Sequence, residues 1–167
     1  MGLRQLASWL AATAPSQLLQ DHQWIVPTSQ SLHIIGISLV FASATAVNLR
    51  LVGMAFRRRG LLQVIDALVP WMWRGLALLL VTGVLQTLTE PVRELVTPVY
   101  WAKMGMIAAV ALLTRAYVGT VRRRAGTSGA DAARPAAALP FAVASTLLWL
   151  AVIACGRFIA YTSMYFT

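Results

Sequence analysis

Four long apolar stretches, each able to cross a lipid bilayer as one helix, constrain this chain more than any other feature. The first is the clearest, because no formally charged residue occurs between Asp21 and Arg50. A bilayer core requires about 20 predominantly apolar helical residues, and this stretch exceeds that length. We place the spans at about 29–53, 68–88, 98–119 and 140–164, following the hydrophobic pattern. The sequence therefore predicts an all-α, membrane-spanning four-helix bundle.

The composition supports a membrane protein rather than a soluble domain. Of the 167 residues, 59% are hydrophobic and 11% are charged, whereas a soluble domain carries about 25% charged residues. A chain of this size cannot hide so much apolar surface in a soluble core. The formal net charge of +9 does not indicate nucleic-acid binding, because most of the cations lie in short blocks beside apolar stretches. The expected partner of the spans is the lipid bilayer.

Arginine placement predicts the orientation in the membrane. The blocks Arg57–Arg59 and Arg122–Arg124 follow the first and third spans, and cytoplasmic loops carry the excess of positive charge. Both termini are therefore expected on the outer face, an N-out/C-out topology. The location that fits is a bacterial inner (cytoplasmic) membrane, with multi-pass insertion and both termini periplasmic or extracellular.

The chain divides into two predicted parts. Residues 1–27 form an amphipathic interfacial segment on the outer face, and residues 28–167 form the transmembrane domain. Within the first part, apolar residues recur at helical spacing from Leu3 to Leu19, which predicts one helix with Trp9 as an interfacial anchor.

Proline and arginine positions predict where the helices begin and end. Pro70 is expected in the first turn of the second span and Pro98 at the first position of the third, because proline lacks the N–H that inner helix positions use. Thr97 is expected to cap the third helix. The segment from Arg122 to Pro135, rich in arginine, glycine and alanine, is predicted to be a flexible cytoplasmic loop.

One polar residue of each span falls in the same layer, about 6–10 Å below the outer boundary at 1.5 Å per residue. Ionisable groups within a membrane are costly and indicate a functional site by default. Two cations and an imidazole, with no deep acid, would suit an anionic or carbonyl-bearing ligand. We predict a semi-exposed cofactor-binding pocket that opens to the outer face. Its residues are His33, Gln86, Lys103 and Arg157, with Tyr161 at the rim.

Two interpretations of this layer stay open. If it binds a cofactor, haem b or a quinone would fit. His22 and His33 are about 16 Å apart along one helix axis and cannot clamp one haem, which leaves His33 with Met104 or Met106, or His33 of two protomers. The alternative is structural: Lys103 and Arg157 extend outward to the headgroups, and His33 is a packing residue. No catalytic residue and no metal-ligand set is predicted.

The chain also resembles an uncharacterised family of small four-helix bacterial membrane proteins, a domain of unknown function. The resemblance implies the same architecture and no particular activity, and the family commonly has aspartate where this chain has Asn48. The segments that carry it are Leu32–Gly36, Asn48–Gly53, Thr82-Gly83, the Lys103 segment, Leu148-Trp149 and Gly156–Tyr161.

Three classes of function follow from these observations. Short loops and the absence of catalytic, phosphate-binding or dinucleotide motifs favour a non-catalytic accessory or anchoring subunit of a larger membrane assembly, paired with another membrane protein or with copies of itself. The second class is an electron-transfer or cofactor-binding protein that uses the polar layer. The third, a small transporter or channel, is less favoured because the spans lack a broken helix or a polar stripe.

Overall fold

The computed structural model describes residues 2–128 and 137–166, which form helices and turns without a strand. Four helical segments among these residues, at 25–51, 61–89, 98–126 and 138–159, are long and apolar enough to cross a membrane. The predicted all-α architecture with four spans is therefore confirmed. In chain order the helices are α1 (Leu3–Ala11), α2 (Ala14–Asp21), α3 (Ile25–Leu51), α4 (Leu61–Thr89), α5 (Pro91–Leu95), α6 (Pro98–Ser128) and α7 (Ala138–Phe166).

The second span begins earlier than its apolar pattern predicts. α4 begins at Leu61, directly after Gly60, whose N–H donates to the Gln63 side chain at 3.2 Å. Pro70 consequently lies inside α4, and its predicted place in the first turn is wrong. The apolar pattern does not extend to this start because Gln63 and Asp66 are polar, although a helix can continue beyond the lipid core.

The third span begins at Pro98, as predicted, but its surroundings differ in two respects. The Thr97 hydroxyl donates to the Arg93 carbonyl at 2.7 Å, so it provides a hydrogen-bond donor to a carbonyl of the preceding short helix α5. α6 also continues through the arginine block to Ser128. The predicted flexible loop is therefore helical in its first half, and the remainder, as far as Pro135, lies outside the described residues.

The N-terminal segment forms two helices instead of the predicted single helix at residues 3–19. α1 and α2 are separated at Ala12 and Thr13, and Pro15 occupies the first turn of α2, where the missing N–H is tolerated. The segment also packs against the bundle, since the fully buried Ser16 hydroxyl donates to the Leu88 carbonyl at 2.5 Å.

Glycines set a close approach between α3 and α4. A Cβ added to Gly75 would lie 2.8 Å from Val40 Cγ2, and one added to Gly36 would lie 2.9 Å from Leu79 Cδ2. Such contacts leave no room for a larger residue, so the two backbones meet here as small residues permit in membrane helices. α6 packs along α7, and α3 also contacts α7.

Both arginine blocks lie at one end of the bundle. Gly53, with a φ of 80° that favours glycine, ends α3 just before the first block. In the second block, Arg122 donates to Asp66 of α4 at 2.8 Å. We call this end the arginine end, and the opposite end, which carries α1, α2 and α5, the α5 end. The common location agrees with the arginine count, while the side of the membrane that each end faces stays a prediction.

A polar contact joins α3 to α7 in the arginine half. Asn48 is buried, and its Nδ2 donates to Ser145 Oγ at 2.8 Å and to Thr146 Oγ1 at 2.9 Å. These bonds cross between helices, as the neutral amide permits. The Asn48 cluster is defined here as Ser43, Asn48, Ser145, Thr146 and Trp149.

Candidate functional site

His33 lies where the close approach of α3 and α4 brings the two helices together at the α5 end. It is one turn before Gly36, and its Nδ1 is 2.7 Å from Thr82 Oγ1. The ring also lies beside Gly83, since a Cβ there would be 3.9 Å from His33 Cε1. The imidazole is therefore held between two helices rather than directed outward to the lipid headgroups.

The hydrogen bonds of Thr82 determine which His33 nitrogen carries the proton. The Thr82 hydroxyl has one hydrogen, which it donates to the Leu78 carbonyl at 2.8 Å. Towards His33 it can then only accept, so Nδ1 must be the donor. In the neutral imidazole this leaves Nε2 with a free lone pair, available to accept a hydrogen bond or to ligate a metal.

Lys103 is the only lysine in the chain, and it lies in the same half of the bundle on α6. Its ammonium interacts electrostatically with His33, Glu94 and Cys155. Among the described residues it makes no hydrogen bond and no direct ion pair. Its Nζ lies 4.0 Å from where a Cβ of Gly156 would be. Gly156 is exposed and has no side chain, so no side chain from this position covers the ammonium.

Glu94 is a site residue that the sequence analysis missed. It belongs to the short helix α5, outside the spans, but it is only 9% exposed. Burial raises the pKa of this carboxyl, an effect that the positive charges of Lys103 and Arg93 oppose and that Glu90 reinforces. Glu94 lies outside the spans, in agreement with the expectation of no acid deep within a span, but α5 packs against the end of the bundle and buries it where its charge interacts with Lys103.

Gln86 follows Thr82 by one turn of α4, so the two side chains share a face. The Gln86 Nε2 is buried and has no hydrogen-bond partner among the described residues. The Gln86 amide, His33 Nε2 and the Lys103 ammonium therefore all have unused hydrogen-bonding capacity among the described residues. The α5-end site is defined here as His33, Thr82, Gln86, Glu94 and Lys103.

Arg157 and Tyr161 are in the expected layer but on the exposed surface of α7. The Arg157 guanidinium donates to the Tyr161 hydroxyl at 2.9 Å and lies 5.2 Å from the centre of its ring. Both side chains are exposed, and their hydrogen-bonding capacity is partly used by each other. The structure thus brings His33 and Lys103 together and leaves Arg157 and Tyr161 as a separate pair.

The donor set limits the chemistry available. In residues 2–128 and 137–166, no group of three histidine, cysteine, aspartate or glutamate side chains is arranged to hold a metal ion. The α5-end site offers instead one acceptor nitrogen, one ammonium, one amide donor and one buried carboxyl. Such a set can bind a polar group by hydrogen bonds and exchange a proton with it.

Fold and site together define a class of small multi-pass helical membrane protein with a polar site at one end of the bundle. The chain belongs to DUF6644, a family of unknown function, whose sequence profile matches residues 22–162. The match includes all of α3, α4, α5 and α6 and most of α7, and it confirms the expected membership of an uncharacterised family. No curated protein and no solved structure matches the chain.

Proposed function

We propose that this protein binds a lipid-soluble carbonyl compound of the quinone type at the α5-end site. The observation that carries the proposal is the combination of the His33 Nε2 lone pair with the Lys103 ammonium, neither of which makes a hydrogen bond to any of the described residues. Ionisable groups in membrane spans without partners are costly. A ligand that hydrogen-bonds to both would offset that cost.

The two groups suit both redox forms of a quinone head group. The ammonium of Lys103 donates to a quinone carbonyl, and such charge-assisted bonds contribute about 1.5–3 kcal/mol. His33 Nε2 accepts from a quinol hydroxyl, while the buried Gln86 amide is a further donor. Because Gly156 has no side chain to cover the ammonium, a ligand in the lipid could approach it past this residue. The proposal concerns binding, because electron transfer requires a redox partner in addition.

Haem b is the second candidate, and the fixed His33 ring favours it. Metal-ligating histidines usually donate their other ring nitrogen to a neighbouring group, as Nδ1 does here with Thr82. Lys103 would then pair with a propionate. A purified protein with a Soret band would support haem, and a preparation without one would exclude it.

The role of accessory or anchoring subunit rests on a different kind of support. Large exposed apolar residues occur on all four long helices, such as Ile34, Leu80, Leu112 and Leu147. Exposed apolar residues on every long helix are expected of a bundle that contacts lipid. They do not mark one face of the bundle as the site where a partner protein binds. Purification in mild detergent tests the role: a stoichiometric partner protein or a defined homo-oligomer would support it, and a consistently isolated monomer would contradict it.

The quinone proposal can be tested by titration. Purified protein in lipid nanodiscs is mixed with a short-chain benzoquinone or naphthoquinone, and binding is measured by calorimetry. We expect saturable binding that His33→Leu weakens by about tenfold and Thr82→Val by about threefold, as loss of a direct and of an orienting hydrogen bond would. His22→Leu is the matched control, because His22 is exposed directly after the end of α2 and its ring bonds to the Leu18 carbonyl of that helix.

The single cysteine supplies an independent readout. Cys155 interacts with Lys103, so a bound head group should slow its reaction with a membrane-permeant maleimide. Equal labelling rates with and without the quinone, together with equal affinity of wild type and His33→Leu, would overturn the proposal.

A further inference from the structure

A small cavity lies in the arginine half of the bundle, away from the α5-end site. It has a volume of about 10 Å³ and is lined by residues of α3, α4, α6 and α7. The lining is almost entirely apolar, and Ser43, Asn48, Ser145 and Trp149 are among the polar residues that border the cavity. One water molecule needs about this much space, so the cavity is too small for an organic ligand.

The hydrogen bonds around the cavity are incomplete. Trp149 is 4% exposed, and its Nε1 has no acceptor among the described residues. The Ser43 hydroxyl makes no hydrogen bond in the same part of the chain, and no donor reaches Asn48 Oδ1. A buried N–H without an acceptor is unfavourable, and native proteins satisfy such groups with protein atoms or ordered water.

We propose that this cavity is a binding site for one ordered water molecule. Its oxygen accepts from Trp149 Nε1, and its two hydrogens are donated to Asn48 Oδ1 and Ser43 Oγ. A buried water typically makes about three hydrogen bonds, and this site supplies three partners. A cation is disfavoured, because the Trp149 N–H is a donor and no charged side chain lines the cavity. The water links α3 to α7 beside the direct bonds of Asn48.

A double-mutant cycle tests the site by thermal unfolding in detergent micelles. Trp149→Phe and Ser43→Ala each remove one partner of the water and keep most of the packing. Each is expected to lower the unfolding midpoint, and the double variant should lower it by clearly less than the sum, because both substitutions release the same molecule. Trp71→Phe, at an exposed tryptophan of α4, is the matched control and should leave the midpoint unchanged.

Two outcomes would overturn this site. One is a higher midpoint for Trp149→Phe, as expected if an unsatisfied N–H were removed from a dry environment. The other is strict additivity of the two substitutions. An experimental map of the wild-type protein gives a second test that needs no variant: a peak within hydrogen-bonding distance of Trp149 Nε1 supports the proposal, and a cavity without density contradicts it.

Discussion

The α5-end site and the Asn48 cluster are both polar regions within a bundle of apolar helices, yet they differ in charge and in hydrogen bonding. The Asn48 cluster contains only neutral side chains, and Asn48 makes direct bonds from α3 to α7. The α5-end site contains Lys103 and Glu94, and neither side chain has a hydrogen-bond partner among the described residues.

This difference indicates two distinct roles for polar groups in a membrane bundle. Neutral groups that bond across helices fix how the helices pack, at a gain of about 1 kcal/mol per bond. Ionisable groups without partners reduce stability, so their presence favours a role in binding. Variants of the Asn48 cluster should therefore change stability, whereas variants of the α5-end site should change ligand binding.

The largest effect is expected for Asn48→Leu. The substitution removes every side-chain bond that α3 makes to Ser145 and Thr146, and it leaves their hydroxyls with fewer partners. We expect the free energy of unfolding to fall by about 2 kcal/mol, measured by denaturant titration in mixed micelles. Ser38→Ala is the control, because the exposed Ser38 hydroxyl bonds only within α3. Reduced quinone affinity at unchanged stability would reverse the roles assigned to the two regions.

The next effect is expected for Lys103→Met, and it should appear in binding alone. Loss of the ammonium should weaken quinone binding by about tenfold, or ~1.4 kcal/mol, measured by calorimetry. Stability should stay equal or rise, because the removed charge is half-buried and makes no ion pair with the described residues. Arg115→Met, at an exposed arginine on the same helix, is the control. A large loss of stability with Lys103→Met would show that the ammonium supports the fold.

A smaller effect, dependent on pH, is expected for Glu94→Gln. Because burial raises the pKa of Glu94 above its ordinary value of 4.5, the folded protein retains a proton that the unfolded chain releases. Stability should therefore fall as pH rises from 4.5 towards the raised pKa, by at most ~1.4 kcal/mol per pH unit. Glu94→Gln should remove this slope, measured by unfolding at several pH values. Asp21→Asn, at an exposed carboxylate, should preserve it; an unchanged slope in Glu94→Gln would contradict the burial argument.

The sequence predicts the spans well because the cost of polar groups in lipid acts on every residue of a helix. It fails where one helix end depends on local chemistry: Gly60 and Gln63 extend α4 past the apolar stretch, and Pro15 divides the N-terminal segment. The start of α4 and the break in the N-terminal segment depend on single hydrogen bonds, which an apolar pattern does not encode.

The sequence predicts how deep the candidate site residues lie in the membrane. It does not predict how each helix is rotated about its own axis. Counting residues places His33, Lys103 and Arg157 in one layer, because the helical rise is constant. Which of them face one another depends on the rotation of each helix, and this is set by contacts such as those of Gly36 and Gly75. Glu94 escaped prediction for a related reason, since its burial results from α5 folding back over the bundle.

The smallest effect is expected for Arg157→Met, and this variant examines the boundary of the α5-end site. Arg157 shares the layer of Lys103, but its guanidinium bonds to Tyr161 on the exposed surface of α7. Exposed pairs of this kind contribute about 0–1 kcal/mol to stability, and lipid headgroups can replace the tyrosine. We therefore expect quinone affinity to change by less than about twofold in the calorimetric assay that shows the Lys103→Met effect. A loss comparable to that of Lys103→Met would extend the site across α7 and support the wider pocket predicted from depth alone.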